Sequence, residues 1–288
     1  MDIEVKGHSG CDISVVREQN VLYVYKSTYD PKYVARLLKQ ASKQQEASTV
    51  EYQHIRVPKI FDVSSDEHRA TIKMQYIYSK NFVEYFEQSG FEQIDYLIHA
   101  IEYFVEKELA QSPVRRVPQE VFIEKFEDVR HKTLCKPEMA DDACVKELLE
   151  RSAELFGSLG DWEIPVGVCH GDLTFSNILF NGNNYFLIDF LDSYVETPLQ
   201  DIVKIRQDTC YCWSPLMYQQ PYDSVRLQII FDKIDSEVDT YFATRYEWYR
   251  RFYKPMQLMN LLRILPYATE RRIIEYLKTI ISQLLNEI

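Results

Sequence analysis

His170-Gly171-Asp172-Leu173-Thr174-Phe175-Ser176-Asn177-Ile178-Leu179, followed by Tyr185-Phe186-Leu187-Ile188-Asp189-Phe190, is the stretch that decides how this 288-residue chain is read. An Asp, an Asn five residues later and a second Asp twelve residues beyond that are the groups phosphoryl transfer calls for. One carboxylate orients an attacking hydroxyl, while an amide oxygen and another carboxylate hold magnesium against nucleotide phosphates. Ile178-Leu179-Phe180 and Tyr185 to Ile188 read as two short strands joined through Asn181-Gly182, a hairpin turn signal. Such a hairpin brings Asn177 and Asp189 side by side at one end.

The pattern His-Gly-Asp, four variable residues, Asn, then a strand ending Asp-Phe resembles the catalytic core of the aminoglycoside phosphotransferase and choline kinase superfamily. That superfamily is the small-molecule branch of the protein-kinase-like fold. The resemblance implies an α+β, bilobal architecture, with a small antiparallel-sheet lobe over residues 1–78 and a large, mainly helical lobe over residues 79–288. It implies Mg2+ and ATP or GTP, with Asp172 as the catalytic Asp and Asn177 and Asp189 as the magnesium ligands. His170 is expected at the base of the loop, packed and hydrogen-bonded to hold the turn rather than to act as a base. Asp201, at a helix start beyond Asp189, fits the Asp that braces the catalytic loop in this family.

In the N-terminal part, Ile3 to Lys6, Asp12 to Arg17 and Val21 to Lys26 read as strands, and Asp30-Pro31 opens a helix with an Asp N-cap and Pro at its first position. Lys59 to Val63 and Arg69 to Tyr78 suggest a further strand pair. Lys26 sits where the family places its nucleotide-binding lysine. The usual partner is a Glu on the following helix, for which Glu46 is the first choice and Glu51 the second. Gly7-His8-Ser9-Gly10 looks like a phosphate-covering turn in which backbone amides, Gly10 among them, and the Ser9 hydroxyl contact phosphate. Met74-Gln75-Tyr76-Ile77 is expected to cross to the second lobe, the backbone of Gln75 and Ile77 meeting the nucleotide base, with a hinge at 79–81.

Beyond it the pattern is helical: a segment stopping at Gly90, a long helix through Ile94, Leu97, Ile98, Ile101, Phe104 and Leu109, then Gln119 to Leu134, Asp141 to Leu159, Pro198 to Gln207, Ser224 to Tyr253 and Pro255 to Ile288. Only eleven residues separate Asp189 from Asp201, too few for the peptide platform of a protein kinase, so a small hydroxyl-bearing acceptor is expected.

With 33 Lys plus Arg against 44 Asp plus Glu, the net charge of −11 argues against a nucleic-acid partner. Six cysteines without paired spacing, no apolar leader and no span-length apolar run point to the cytoplasm and no membrane insertion. For the acceptor, Asp192 and Glu196 suggest an acidic pocket suited to an amino sugar or amino alcohol, with Tyr211 and Trp213 nearby. Phe242, Tyr246, Tyr249 and Tyr253 form a stripe at helical spacing that reads first as core and second as a cation–π wall. A sugar or amino sugar is the leading acceptor class and choline or ethanolamine the next. A non-catalytic nucleotide-binding protein is the competing class, and a protein kinase comes third.

Overall fold

The structure, a computed structural model, describes residues 3–6 and 11–288. Five antiparallel strands form the first sheet: β1 (Ile3–Lys6), β2 (Asp12–Glu18), β3 (Val21–Thr28), β5 (Ile60–Ser65) and β6 (Ala70–Gln75), in the order β1-β2-β3-β6-β5. Helix α1 (Pro31–Ala47) starts as expected, with the Asp30 carboxylate accepting from the Lys32 amide. Its inward face, Leu37, Gln40, Ala41, Gln44 and Ala47, packs against β3, β5 and β6. A small core of Leu37, Ala41, Ala70, Ile72 and Met74 results.

Strand β4 (Ile55–Arg56) was not legible as a strand, having only two residues. It leaves the first sheet's neighbourhood and pairs in parallel with β10 (Asn184–Leu187), which pairs antiparallel with β9 (Ile178–Asn181). Thus the expected hairpin exists, closed by Gly182-Asn183 with Gly182 at φ +56°. Lys80 bridges Phe180 through backbone hydrogen bonds of 2.9 and 3.2 Å, so the free backbone of the crossover is 76–79 rather than 79–81.

The remainder is helical: α2 (Phe82–Gln88), α3 (Phe91–Leu109), α4 (Gln119–Leu134), α5 (Pro137–Ala140), α6 (Ala143–Ser158), α7 (Pro198–Thr209), α8 (Trp213–Met217), α9 (Ser224–Arg245), α10 (Glu247–Leu262) and α11 (Arg271–Glu287). The apolar positions of α3 are buried as their spacing requires, against α7 and α9. A two-stranded sheet of β7 (Val114–Val117) and β8 (Trp162–Pro165) interrupts the helices. It carries Trp162, fully buried between Phe122 and Phe252 with ring centroids 3.8 and 4.9 Å away.

Two helix boundaries differ from the sequence reading. The chain breaks at Tyr246, which is extended, whereas Pro255 lies inside α10. Proline there forfeits the bond to the carbonyl of Arg251, an exposed residue. Burial of Tyr249, Phe252, Tyr253 and Met256 on the same helix outweighs that loss. A second break, around the short turn Leu265–Tyr267, separates α10 from α11. The Trp162→Ala variant is expected to lose about 3–5 kcal/mol, read as a lowered urea midpoint with the slope unchanged.

Candidate functional site

One face of α7 organises the loop that precedes the hairpin. Asp201, Lys204 and Asp208 stand at i, i+3 and i+7, hence on the same side of the helix. The Asp201 carboxylate accepts the His170 and Gly171 amides at 2.5 and 2.7 Å. Lys204 Nζ lies 3.0 Å from Asp172 Oδ1. The Asp208 carboxylate accepts the Phe175 amide at 2.7 Å and the amide and hydroxyl of Ser214, both at 2.9 Å. Residues 170–175 therefore lie along the helix with each contact in chain order.

His170 is buried; its Nδ1 accepts the Asp172 amide at 3.2 Å, and its Nε2 donates to the Ile188 carbonyl at 2.9 Å. That pattern requires the neutral ring, and burial lowers its pKa. Gly171 has φ +89°, and a side chain there would strike the Leu191 carbonyl, so glycine is required. Burial pushes the Asp172 carboxyl up, but the Lys204 ammonium, helped by the Asn177 hydrogen bond, brings the group below its usual value. Asn177 Nδ2 donates to the backbone oxygen and to Oδ2 of Asp172 at 2.8 and 2.9 Å, which turns its Oδ1 away from the loop. The Ile188 amide bonds the Asn177 carbonyl at 3.1 Å and closes the hairpin base, setting Asn177 beside Asp189.

Lys26, near the end of β3, is buried, and its ammonium meets Asp189 Oδ1 at 2.6 Å and Gln40 Oε1 at 3.2 Å. Glu46 is not its partner. That residue is exposed and its carboxylate accepts from Ser42 Oγ at 3.1 Å, one turn away, because α1 turns positions 37, 40, 41 and 44 inward and 46 outward. Glu51 is exposed as well. Gln40 occupies the place expected of the acid. Gln75 ends β6; its N–H is used by the Lys59 carbonyl at 2.8 Å. Ile77 is buried in the crossover, while Ser9 and Gly10 fall outside the described residues.

The acidic pocket read into Asp192 and Glu196 does not exist as such. Asp192 is paired with Lys39 at 3.2 Å, and Glu196 with Lys43 at 2.7 Å. Glu196 also accepts from Cys169 Sγ at 3.0 Å, and Lys43 donates to the Leu191 carbonyl at 2.5 Å. Both acids are thus neutralised by lysines from α1, which sequence spacing could not align with a segment 150 residues away. Tyr211 and Trp213 are half-buried against the main core; the Tyr211 carbonyl accepts from the Tyr276 hydroxyl, and neither side chain reaches Asp172 by a hydrogen bond. The stripe of Phe242, Tyr249 and Tyr253 is buried, and the Arg206 guanidinium already lies 4.3 Å from the Tyr253 ring centre. Tyr246 is half-buried and donates to Glu106 at 2.7 Å. The stripe is core.

Lys204, Asp208, Lys39, Lys43 and Gln40 were missed. Asp201, Lys204 and Asp208 share a signal, since their spacing repeats one helix face opposite the loop at residues 170–175. Glu108 of α3 also went unnoticed. It is buried beside Asp201, and burial together with that neighbouring charge raises its pKa well above its usual value.

The model of the phosphotransferase enzyme family matches residues 98–220, which include the loop, the hairpin and α7. No curated protein matches the chain. Among solved structures, a thermostable mutant of aminoglycoside phosphotransferase APH(4)-Ia in ternary complex with ADP and hygromycin B aligns with a TM-score of 0.65 at 10% identity, over 99% of this chain and 93% of that one. The GDP complex of a mutant aminoglycoside 2′-phosphotransferase-IIIa gives 0.63 at 12% identity, over 100% and 92%. Spectinomycin phosphotransferase APH(9)-Ia, in complex with ADP and spectinomycin, gives 0.54 at 14%, over 99% and 92%. At these identities the likeness is one of fold. No helix among the described residues is long and apolar enough to cross a membrane.

Burial pushes the Asp208 carboxyl up to about 6. A carboxyl raised on folding contributes stability that is fully present below its unfolded value near 4 and is lost as pH climbs through its folded value. Asp208→Asn removes this dependence. Between pH 4 and 6 the stability of the wild type relative to the variant should fall by up to about 1.4 kcal/mol per pH unit, measured by urea unfolding.

Proposed function

We propose that the chain is a small-molecule kinase of the phosphotransferase enzyme family, whose model matches residues 98–220, and that it transfers the γ-phosphate of ATP or GTP, with Mg2+, to a hydroxyl of a sugar-type acceptor. The observation that carries the reading is one connected constellation: Lys26 on Asp189 at 2.6 Å, Asp189 beside Asn177 at the hairpin base, and Asn177 on Asp172 at 2.9 Å. A site that had lost its chemistry would have no reason to keep Lys26 on Asp189 and Asn177 on Asp172 at adjoining ends of one hairpin.

In this reading residues 1–78 bind the nucleotide and residues 79–288 supply the catalytic loop and acceptor pocket. Lys26 takes the α- and β-phosphate oxygens, with Gln40 in place of the usual acid. The Asn177 amide oxygen and the Asp189 carboxylate are hard oxygen donors at one end of a hairpin, which suits magnesium; that ion usually takes one or two carboxylates and completes its shell with phosphates and water. Bound there, Mg2+ would supply charge neutralisation of the phosphates. Asp172 orients the acceptor hydroxyl and takes its proton as the new O–P bond forms and the bond to the nucleoside diphosphate breaks. Lys204 keeps Asp172 ionised. His170 and Asp201 hold the loop. The short segment between Asp189 and α7 supports a small acceptor over a protein. With Asp192 and Glu196 already paired and the aromatic stripe in the core, the reasons for an amino sugar or amino alcohol are weakened. A reducing cytoplasm suits the six cysteines.

Asp172→Asn should lower kcat by about 10²–10⁴ while the nucleotide Kd changes little; undiminished turnover would sink the assignment. Lys204→Met removes the strongest opposition to the burial of Asp172, leaving mainly the Asn177 hydrogen bond, and raises its pKa. The acid limb of the kcat/KM profile should then move to higher pH, as a coupled nucleotide-turnover assay would show.

A further inference from the structure

The face of α1 that turns away from the small core carries Lys32, Arg36 and Lys39 at i, i+4 and i+7. Across from it stand Lys125 of α4 and Arg263, which follows α10. These side chains and Asp192 line one cavity of about 540 Å³ at the junction of α1 with the helical body. Tyr194 also lines it, its ring facing the Arg263 guanidinium at 5.3 Å. Five cations and one carboxylate therefore share a single recess, in a chain whose net charge is −11.

The local acids do not balance that charge. Asp192 answers Lys39 at 3.2 Å, and Asp128 answers Lys125 at 3.0 Å but is shared with Lys132 at 2.8 Å. Among the described residues Lys32, Arg36 and Arg263 make no ion pair with a carboxylate; Arg36 rests over the Tyr33 ring and Arg263 over the Tyr194 ring. Solvated surface lysines usually lie scattered, whereas these groups converge from separate elements on one concave space. Two of them are arginines, whose planar fork matches phosphate and carboxylate geometry.

Place decides the use. Asp192 on the cavity rim is three residues from Asp189, so their Cα atoms lie within about 11 Å of each other even along a fully extended chain. Lys39 on the rim is followed directly by Gln40, which touches Lys26. We propose that this cavity holds an anionic group, a phosphate or a carboxylate, of the acceptor, so that the enzyme phosphorylates a hydroxyl on a molecule already bearing negative charge. This rests on the kinase reading above and narrows its substrate class. A polycationic acceptor would meet like charge here.

The test uses the full chain and an Arg36→Gln/Arg263→Gln double variant, in two measurements. In the first, nucleotide turnover is screened with matched neutral sugars, amino sugars, sugar phosphates and sugar acids. The expected result is turnover of phosphate- or carboxylate-bearing acceptors, with KM for them raised about thirtyfold or more in the double variant and kcat little changed. Turnover confined to neutral or cationic acceptors, with KM the same in the variant, overturns the proposal. In the second, inorganic phosphate is titrated against thermal unfolding. Protection of the wild type that is lost in the variant supports an anion site, and equal protection of both overturns it whatever the turnover screen shows. If phosphate protects only the wild type while no acceptor of any charge is phosphorylated, the kinase reading has failed. The cavity then holds a free anion, and its assignment to the acceptor is overturned.

Discussion

The pairing of α7 with the loop at residues 170–175 is the constraint on which the rest depends. A loop of six residues from His170 to Phe175 has few internal hydrogen bonds of its own and would sample many shapes. Here three charged side chains on consecutive turns of one helix take its backbone amides and its carboxylate in order. Because the helix rises about 1.5 Å per residue, the spacing of Asp201, Lys204 and Asp208 sets the spacing of what they hold. The helix is itself fixed by burial against α3, α9 and α10, so the positions of Asp172 and Asn177 are inherited from the main core. Burial of Asp201 and Asp208 raises the cost of their charges, which stay worthwhile only while the loop amides are in place.

Electrostatics between the α1 side and the segment after the hairpin follow a second pattern. Lys26, Lys39 and Lys43 reach Asp189, Asp192 and Glu196 respectively, so three cations grip eight residues of chain after the hairpin. This arrangement makes the segment between Asp189 and α7 compact without glycine, and it uses up acids that otherwise read as a pocket. What remains unanswered is positive charge, gathered in the recess beneath α1.

Much of this was legible in the sequence. Spacing from Asp172 to Asn177 to Asp189 carries its own geometry, because a two-residue turn leaves few ways to close the hairpin. The Asp30-Pro31 cap and the apolar period of α3 are local signals, and both elements formed as read. Glu46 failed because helical phase, not residue type, decides what faces Lys26, and a shift of two residues rotates a side chain by more than half a turn. Asp192 and Glu196 failed because their partners are distant in sequence, and unpaired acids in a string cannot be told from paired ones. Strand β4 and the β7–β8 pair are too short to show a period of two, and Pro255 was read as a boundary though its burial made it tolerable in mid-helix.

Residues 52–56 and 76–80 both leave the first sheet and attach to the hairpin, one through β4 and β10, the other through Lys80 and Phe180. The ion pairs of Lys26 with Asp189 and Lys43 with Glu196 cross the same junction. The first sheet and α1 are therefore fastened to the hairpin side at several separate points, by backbone and by charge alike.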